Sequence, residues 1–342
     1  MGSIVFLTGE FTNVIGETIG FKSGMVLSRE EFADLLAGEG DWSDLFMQPD
    51  NKWLRLRSDE FEELYYTILY KLGNTDLREP VSPYGVDLYH KYKKNPTSKK
   101  AYRGVSEIFN RVIKEEIEKE LKKGTKLLDP TSLFEQAFEK YGTLGIKIAN
   151  ELITGINNYL NLNPYSNLRR IEWKDTKELK ELFNSASLET SYGKFLDRRF
   201  INYLERNFSE IDQIHWRKFE ALTAEYFVHM GYEVEIGPGR NDNGVDVRVW
   251  DPTEKKDRPP LILIQCKRQK KKVEKIVVKA LWADVKFENA KSGLIVTTSC
   301  LSPGSVEVCK ARQYDIFQAD RKTLEYWITQ LKEPGTGIFL GY

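Results

Sequence analysis

Two short apolar runs near residue 250 carry the clearest pattern in the chain. GVDVRVW, residues 244–250, alternates: Val245, Val247 and Val249 fall on one face of an extended strand, Asp246 and Arg248 on the other. After a ten-residue connection, LILIQCKR, residues 261–268, runs apolar into Gln265, Cys266 and Lys267. Gln265 and Lys267 are two apart and share a side, while Cys266 points the opposite way. If the two strands pair, an acid, an amide and an amine meet at one end of a small sheet. Such a cluster can hold a divalent cation and a water beside a phosphate.

Elements alternate around this pair. WRKFEALTAEYFVHMG predicts a helix with Phe219, Leu222, Tyr226 and Phe227 along one side, YEVEI a strand, and GPGRNDNG a turn-rich loop. Beyond the pair, KKVEKIVVKALWADVKFENA predicts a long helix with Val273, Val277, Ala280, Leu281 and Val285 inward. GLIVTT reads as a buried strand, SPGSVEVCKARQ as a helix capped near Ser302, YDIFQ as a fifth strand, and Asp320 starts a last helix through Leu331. The expectation is an α/β domain over residues 211–342, a mixed sheet flanked by helices.

The preceding residues read differently. SIVFLT predicts a strand, after which Gly9, Gly16, Gly20 and Gly24 punctuate a loop-rich stretch. Ser28 with Glu31 forms a capping box before a short helix. Trp53, Leu54 and Leu56 suggest a brief strand. Ser58, Asp59 and Glu60 open a helix with Phe61, Leu64, Tyr65 and Leu69 at helical spacing, ended by Gly73-Asn74. Residues 1–75 are expected to form a small α+β module. Residues 76–210 read as mainly helical, a region for sensing, recognition or oligomerisation, or a plain spacer. Val105, Ile108, Phe109, Val112, Ile113, Ile117 and Leu121 stripe one helix, Asp129-Pro130 starts the next through Tyr141, GIKIANELITGINNYL follows, and Asp175 to Glu178 caps another.

Composition narrows the function. A chain of 342 residues has room for two or three domains, and 30% charged with 41% hydrophobic residues is ordinary for a soluble protein. Net charge is zero, so a nucleic-acid surface would have to come from local segregation of charge. Two stretches qualify. Residues 76–104 interleave Lys91, Lys93, Lys94, Lys99, Lys100 and Arg103 with Tyr89, Tyr92 and Tyr102, a phosphate-and-stacking pattern or a solvated linker. Residues 267–279 set Lys267, Arg268, Lys270, Lys271, Lys272, Lys275 and Lys279 against Glu274, a solvated surface or, as favoured here, a track on which Arg268, Lys270, Lys271, Lys272 and Lys275 carry DNA backbone. Three cysteines and three histidines without paired spacing argue against a disulfide framework or a zinc site. The start of the chain lacks a signal core, and no apolar run approaches the roughly 18 to 20 residues that span a bilayer. A cytoplasmic protein with no membrane association is expected.

The order of four blocks, FEALTAEYFVHMGYEVEIG, NGVDVRV, QCKR and SGLIVTTS, resembles the Mrr-type restriction endonuclease catalytic domain of the PD-(D/E)xK nuclease superfamily. The resemblance covers roughly residues 212–330. It implies a restriction-endonuclease-like fold and hydrolysis of phosphodiester bonds in DNA with Mg²⁺, for which Mn²⁺ can substitute. Asp246 would bind the metal, and Lys267 would contact the scissile phosphate or position water. Gln265 departs from the commoner acid of the superfamily, although Mrr-like members carry Gln, and its neutral amide removes one charge from the cage. Glu220 matches the acid of the first helix, with Glu225 a competing choice. The Cys266 backbone carbonyl is a further ligand by resemblance, whereas its thiol reads as core.

Thr297, Thr298 and Ser299 could donate to phosphate or cap the next helix, and His215 and His229 read as structural. The basic helix after the site suggests a double-stranded substrate, and cutting both strands suggests a homodimer. A restriction or anti-phage role follows from the resemblance, with residues 1–210 recognising a modified base, a sequence or a signal of infection. Two alternatives stand beside it: a catalytically silent DNA-binding protein, and a nuclease effector gated by a small molecule or protein partner at the N-terminal region.

Overall fold

Pairing of the two apolar runs organises the C-terminal part of the computed structural model, which describes residues 2–81, 85–123, 127–239, 244–253, 258–332 and 338–339. The expected loop GPGRNDNG and the connection DPTEKKDRPP lie partly outside these residues. The chain divides into two compact units, one of Met1–Tyr70 with Asn74–Thr176, the other of Lys177–Glu333 with Lys71–Gly73.

In the first unit, β1 (Ser3–Leu7) runs antiparallel to β2 (Trp53–Arg57), with Val5 opposite Arg55. Between them come α1 (Thr8–Ser23), α2 (Arg29–Leu35) and α3 (Trp42–Phe46), and α4 (Ser58–Lys71) follows β2. Helix α1 overturns the loop expected from its glycines. Phe11, Ile15 and Ile19 recur every four residues and are fully buried. That packing outweighs the penalty of about 1 kcal/mol that each interior glycine imposes on a helix. Gly24 does stop the helix: its φ is +69°, and its N–H donates to the Gly20 carbonyl. The capping box of α2 forms as expected, Ser28 Oγ accepting from Glu31 N–H at 3.2 Å and the Glu31 carboxylate from Ser28 N–H at 2.7 Å.

Next come α5 (Val86–Tyr92), α6 (Pro96–Lys123) and α7 (Thr131–Leu162), the last bent at Gly142, φ +59°, where the sequence predicts two helices. Val105, Phe109 and Val112 of α6 share a buried cluster with Ile148, Leu152 and Ile156 of α7. The side chains of Ile117 and Leu121 lie outside the described ones. The lysine–tyrosine stretch is not a free stacking ladder. Tyr92 and Tyr102 are buried and stack on one another at 5.8 Å between centroids, and Lys91 pairs with Glu151 at 2.8 Å. Of the three rings only Tyr89 is exposed.

The second unit contains α8 (Leu179–Asn184), α9 (Arg198–Arg206) and α10 (Trp216–His229). Then come β3 (Glu233–Ile236), β4 (Val247–Trp250), β5 (Ile262–Lys267), α11 (Lys275–Phe287), β6 (Ser292–Thr297), α12 (Pro303–Arg312), β7 (Ile316–Ala319) and α13 (Arg321–Leu331). The strands form one sheet in the order β7-β6-β5-β4-β3. The pairs β3–β4 and β4–β5 are antiparallel, β5–β6 and β6–β7 parallel. This is the expected mixed sheet with flanking helices.

Two details differ. The run 244–250 is a strand only from Val247, so Asp246 stands just ahead of β4. The inward stripe of α11 is Val278, Leu281 and Val285, with Ala280 exposed and Val277 half-buried. Val273 precedes the helix, its N–H donating to the Cys300 carbonyl at 2.8 Å. Val278, Leu281 and Val285 pack with Val245, Leu263, Ile295 and Ile316 of the sheet region.

Candidate active site

Register brings the acid and the amide together. Val247 lies opposite Ile264, Arg248 opposite Leu263 and Val249 opposite Ile262. Asp246, just ahead of the last paired residue Val247, bonds the residues on either side of Gln265, Ile264 through its backbone and Cys266 through its carboxylate. The Asp246 backbone is tied on both sides, its N–H to the Ile264 carbonyl at 2.9 Å and its carbonyl accepting from Gly237 N–H at 2.8 Å. Its Oδ2 accepts from Cys266 N–H at 2.6 Å, a charge-assisted bond that fixes the buried carboxylate. Gln265 is 7% exposed, and its Oε1 is buried with no hydrogen-bond partner among the described residues. A buried acceptor left unpaired costs about 1–3 kcal/mol, so an oxygen of this kind suits a ligand. Gly244, φ +83°, leaves the amide room: a Cβ there would come within 3.0 Å of Gln265 Nε2.

Helix α10 supplies the second acid. His215 caps it, Nδ1 accepting from Arg217 N–H at 3.1 Å. Burial, then the charges of Arg268 and Lys218, hold the imidazole below its ordinary pKa, which favours the neutral acceptor the cap requires. One turn on, Glu220 is 5% exposed and its Oε2 accepts from Arg217 Nη1 at 2.7 Å. Glu225 points elsewhere, its carboxylate accepting from the N–H groups of Lys194, Phe195 and Leu196. Glu220 is therefore the acid of α10 near the strand pair.

The Cys266 thiol reports this proximity. Burial pushes its pKa well above the ordinary value, the charge of Asp246 adds to the rise, Glu220 adds less, and Lys267 opposes it. Its Sγ lies 3.6 Å from Thr223 Oγ1 as a protonated, inward group. His229 is exposed at the last position of α10.

Among the described residues no three His, Cys, Asp or Glu side chains cluster as a metal site. The candidate donors that the resemblance implies are two carboxylates, an amide oxygen and the Cys266 backbone carbonyl. All are hard oxygens, and with the unpaired Gln265 Oε1 they fit Mg²⁺ better than a soft metal.

The basic track is a tethered segment rather than a helix, because α11 starts only at Lys275. Arg268, Lys270, Lys271, Lys272 and Lys275 are all exposed. Among the described residues none of these four lysines pairs with a carboxylate. The three hydroxyls expected to meet phosphate or cap a helix bond the backbone of the lysine segment, and none of them caps α12. Thr297 Oγ1 donates to the Lys267 carbonyl at 2.7 Å and Ser299 Oγ to the Lys270 carbonyl at 3.2 Å. Thr298 Oγ1 accepts from Gln269 N–H at 3.1 Å. Together they hold the lysine segment against the end of β6, and the cap of α12 falls to Ser302, which accepts from Ser305 N–H at 3.3 Å. Sequence reasoning missed Arg217, although its spacing of three from Glu220 on a helix is a signal for an ion pair.

Residues 211–328, in the C-terminal third of the chain, match the restriction endonuclease family model Mrr_cat, the family that the motif order resembles. Among solved structures, the MspJI restriction endonuclease in complex with a 27-mer oligonucleotide is similar with a TM-score of 0.26 and 16% identity. That match covers 54% of this chain and 39% of the other, so the chain spans well under two thirds of that relative. No curated protein matches.

Proposed function

We propose that this protein is a divalent-metal-dependent DNA endonuclease whose active site comprises Asp246, Gln265, Lys267 and Glu220. The observation that carries the reading is the buried Oε1 of Gln265, without a partner among the described residues, beside Cys266, whose N–H holds the carboxylate of Asp246. Asp246, Gln265, the Cys266 carbonyl and Glu220 would hold Mg²⁺, or Mn²⁺ in its place. When bound, such a cation supplies polarisation of the phosphodiester and acidification of a water. Lys267, at the end of β5, positions the scissile phosphate and offsets the negative charge that grows on it as a water oxygen attacks phosphorus and the P–O bond to the leaving oxygen breaks. Arg268, Lys270, Lys271, Lys272 and Lys275 hold the DNA backbone without reading sequence. The substrate is double-stranded DNA, cut by a homodimer in restriction or anti-phage defence, with recognition or gating assigned to residues 1–210.

The test is incubation of methylated and unmethylated plasmids with the purified full chain in Mg²⁺ or Mn²⁺. Cutting that stops on chelation is expected. DNA binding without cutting under any condition would replace this reading with the silent one, and cutting that needs cell extract would favour a gated effector.

Replacing Lys270, Lys271 and Lys272 together by alanine is expected to weaken DNA binding on all sequences alike. The slope of log K against log salt should fall by about 3, near one for each lysine that meets a phosphate. Fluorescence anisotropy across a salt series reads this directly, and an unchanged slope would move the DNA track away from this segment.

A further inference from the structure

Arg217 sits in the first turn of α10, three residues ahead of Glu220. Its Nη1 donates to Glu220 Oε2 at 2.7 Å, and the two side chains are only 15% and 6% exposed. The backbone that contacts Asp246 also confines this guanidinium. Gly237 N–H donates to the Asp246 carbonyl, and two residues on Gly239, φ +79°, approaches α10 closely. A Cβ at Gly239 would lie 3.2 Å from Arg217 Nη1 and 2.9 Å from the Trp216 ring. Arg217 is thus held beside one of the two candidate carboxylates and against the segment whose Gly237 bonds the backbone of the other.

The local charges then balance. Asp246 and Glu220 are negative, Arg217 and Lys267 positive, and Gln265 neutral. A cation approaching this set meets repulsion from a resident guanidinium that already satisfies one carboxylate. Displaced from Glu220, the same guanidinium is a planar fork of donors whose geometry matches phosphate.

We infer that Arg217 is a counter-ion switch, neutralising Glu220 in the absence of a divalent cation and transferring to a DNA phosphate when a cation takes that carboxylate. The inference rests on the metal-centre reading above and adds regulation to it. Metal and DNA bind cooperatively, because each makes Arg217 available to favour the other, and the coupling is reciprocal. Arg217 binds a substrate phosphate in this scheme and takes no part in proton transfer.

The experiment is calorimetric titration of Mn²⁺ into the full chain, with and without a DNA duplex, in a Lys267→Ala background that suppresses cleavage. DNA is expected to tighten Mn²⁺ binding about tenfold, within the usual range of coupling between sites. Arg217→Gln is expected to bind Mn²⁺ about tenfold more tightly in the absence of DNA and to lose most of the coupling, while Arg217→Lys keeps part of it. Unchanged or weaker Mn²⁺ binding by Arg217→Gln, or full coupling without the arginine, overturns the switch.

Thermal unfolding separates a purely structural role. A loss of stability in Arg217→Gln that saturating Mn²⁺ restores supports the switch, and a loss that Mn²⁺ leaves in place overturns it. Asp246→Ala distinguishes the two levels of failure. Mn²⁺ binding that needs Asp246 but ignores Arg217 removes this inference alone. Absence of binding, or binding that survives Asp246→Ala, removes the metal-centre reading with it.

Discussion

Asp246→Asn is expected to lower plasmid cleavage about a thousandfold, the upper end of what loss of one preorganised electrostatic group costs, while the C-terminal unit stays folded. The asparagine carbonyl can still accept from the Cys266 N–H that Asp246 Oδ2 holds at 2.6 Å, so the strand pair keeps its side-chain tie. What disappears is a full negative charge. The site can spare little of it, because Gln265 contributes a neutral amide and Glu220 is already paired with Arg217. Initial rates on supercoiled plasmid in Mg²⁺, beside a thermal unfolding curve for each protein, make the measurement. A folded variant that cuts within about tenfold of the parent would remove Asp246 from the chemistry.

The second large effect is on stability. Asp197→Ala is expected to destabilise the C-terminal unit by about 3–5 kcal/mol, the range seen when one partner of a buried ion pair is removed. Asp197 and Arg199 have side chains 7% and 1% exposed, with Nη2 to Oδ2 at 2.7 Å and Nε to Oδ1 at 2.9 Å. Asp197 also caps α9 by accepting from Arg199 N–H at 2.9 Å, and Thr190 Oγ1 donates to its other oxygen at 3.1 Å. Loss of the carboxylate removes the cap and the counter-charge together, leaving the guanidinium stacked over the Tyr192 ring at 5.1 Å.

The effect should reach the site. Glu225 ties Lys194, Phe195 and Leu196, immediately before Asp197, to the helix that carries Glu220. Urea unfolding followed by circular dichroism gives the number. Asp197→Asn, which keeps an acceptor for the cap, should lose less. A loss below about 1 kcal/mol for alanine would mean that the pair contributes no more than an exposed one.

The sequence by itself determined the side-chain parity of the central strands. Successive residues of a strand alternate faces, so Gln265 and Lys267 share one side of β5 and Cys266 takes the other. It likewise determined the starts of α2 and α12, where Ser28 and Ser302 meet local donors within three residues. These features depend on covalent geometry over a few residues. Tertiary structure decided the rest. Helix α1 forms despite its glycines because Phe11, Ile15 and Ile19 find a core, and Tyr92 and Tyr102 are withdrawn from the surface by stacking on each other. Helical phase could not choose between Glu220 and Glu225, since the choice lies in what each meets: Arg217 for one, the backbone of residues 194–196 for the other. Thr297, Thr298 and Ser299 look like ligand donors in one dimension, yet they bind a segment about thirty residues earlier in the chain. Periodicity assigns a side chain to a face, but its partner is set by burial and hydrogen-bond satisfaction among segments brought together only when the chain folds.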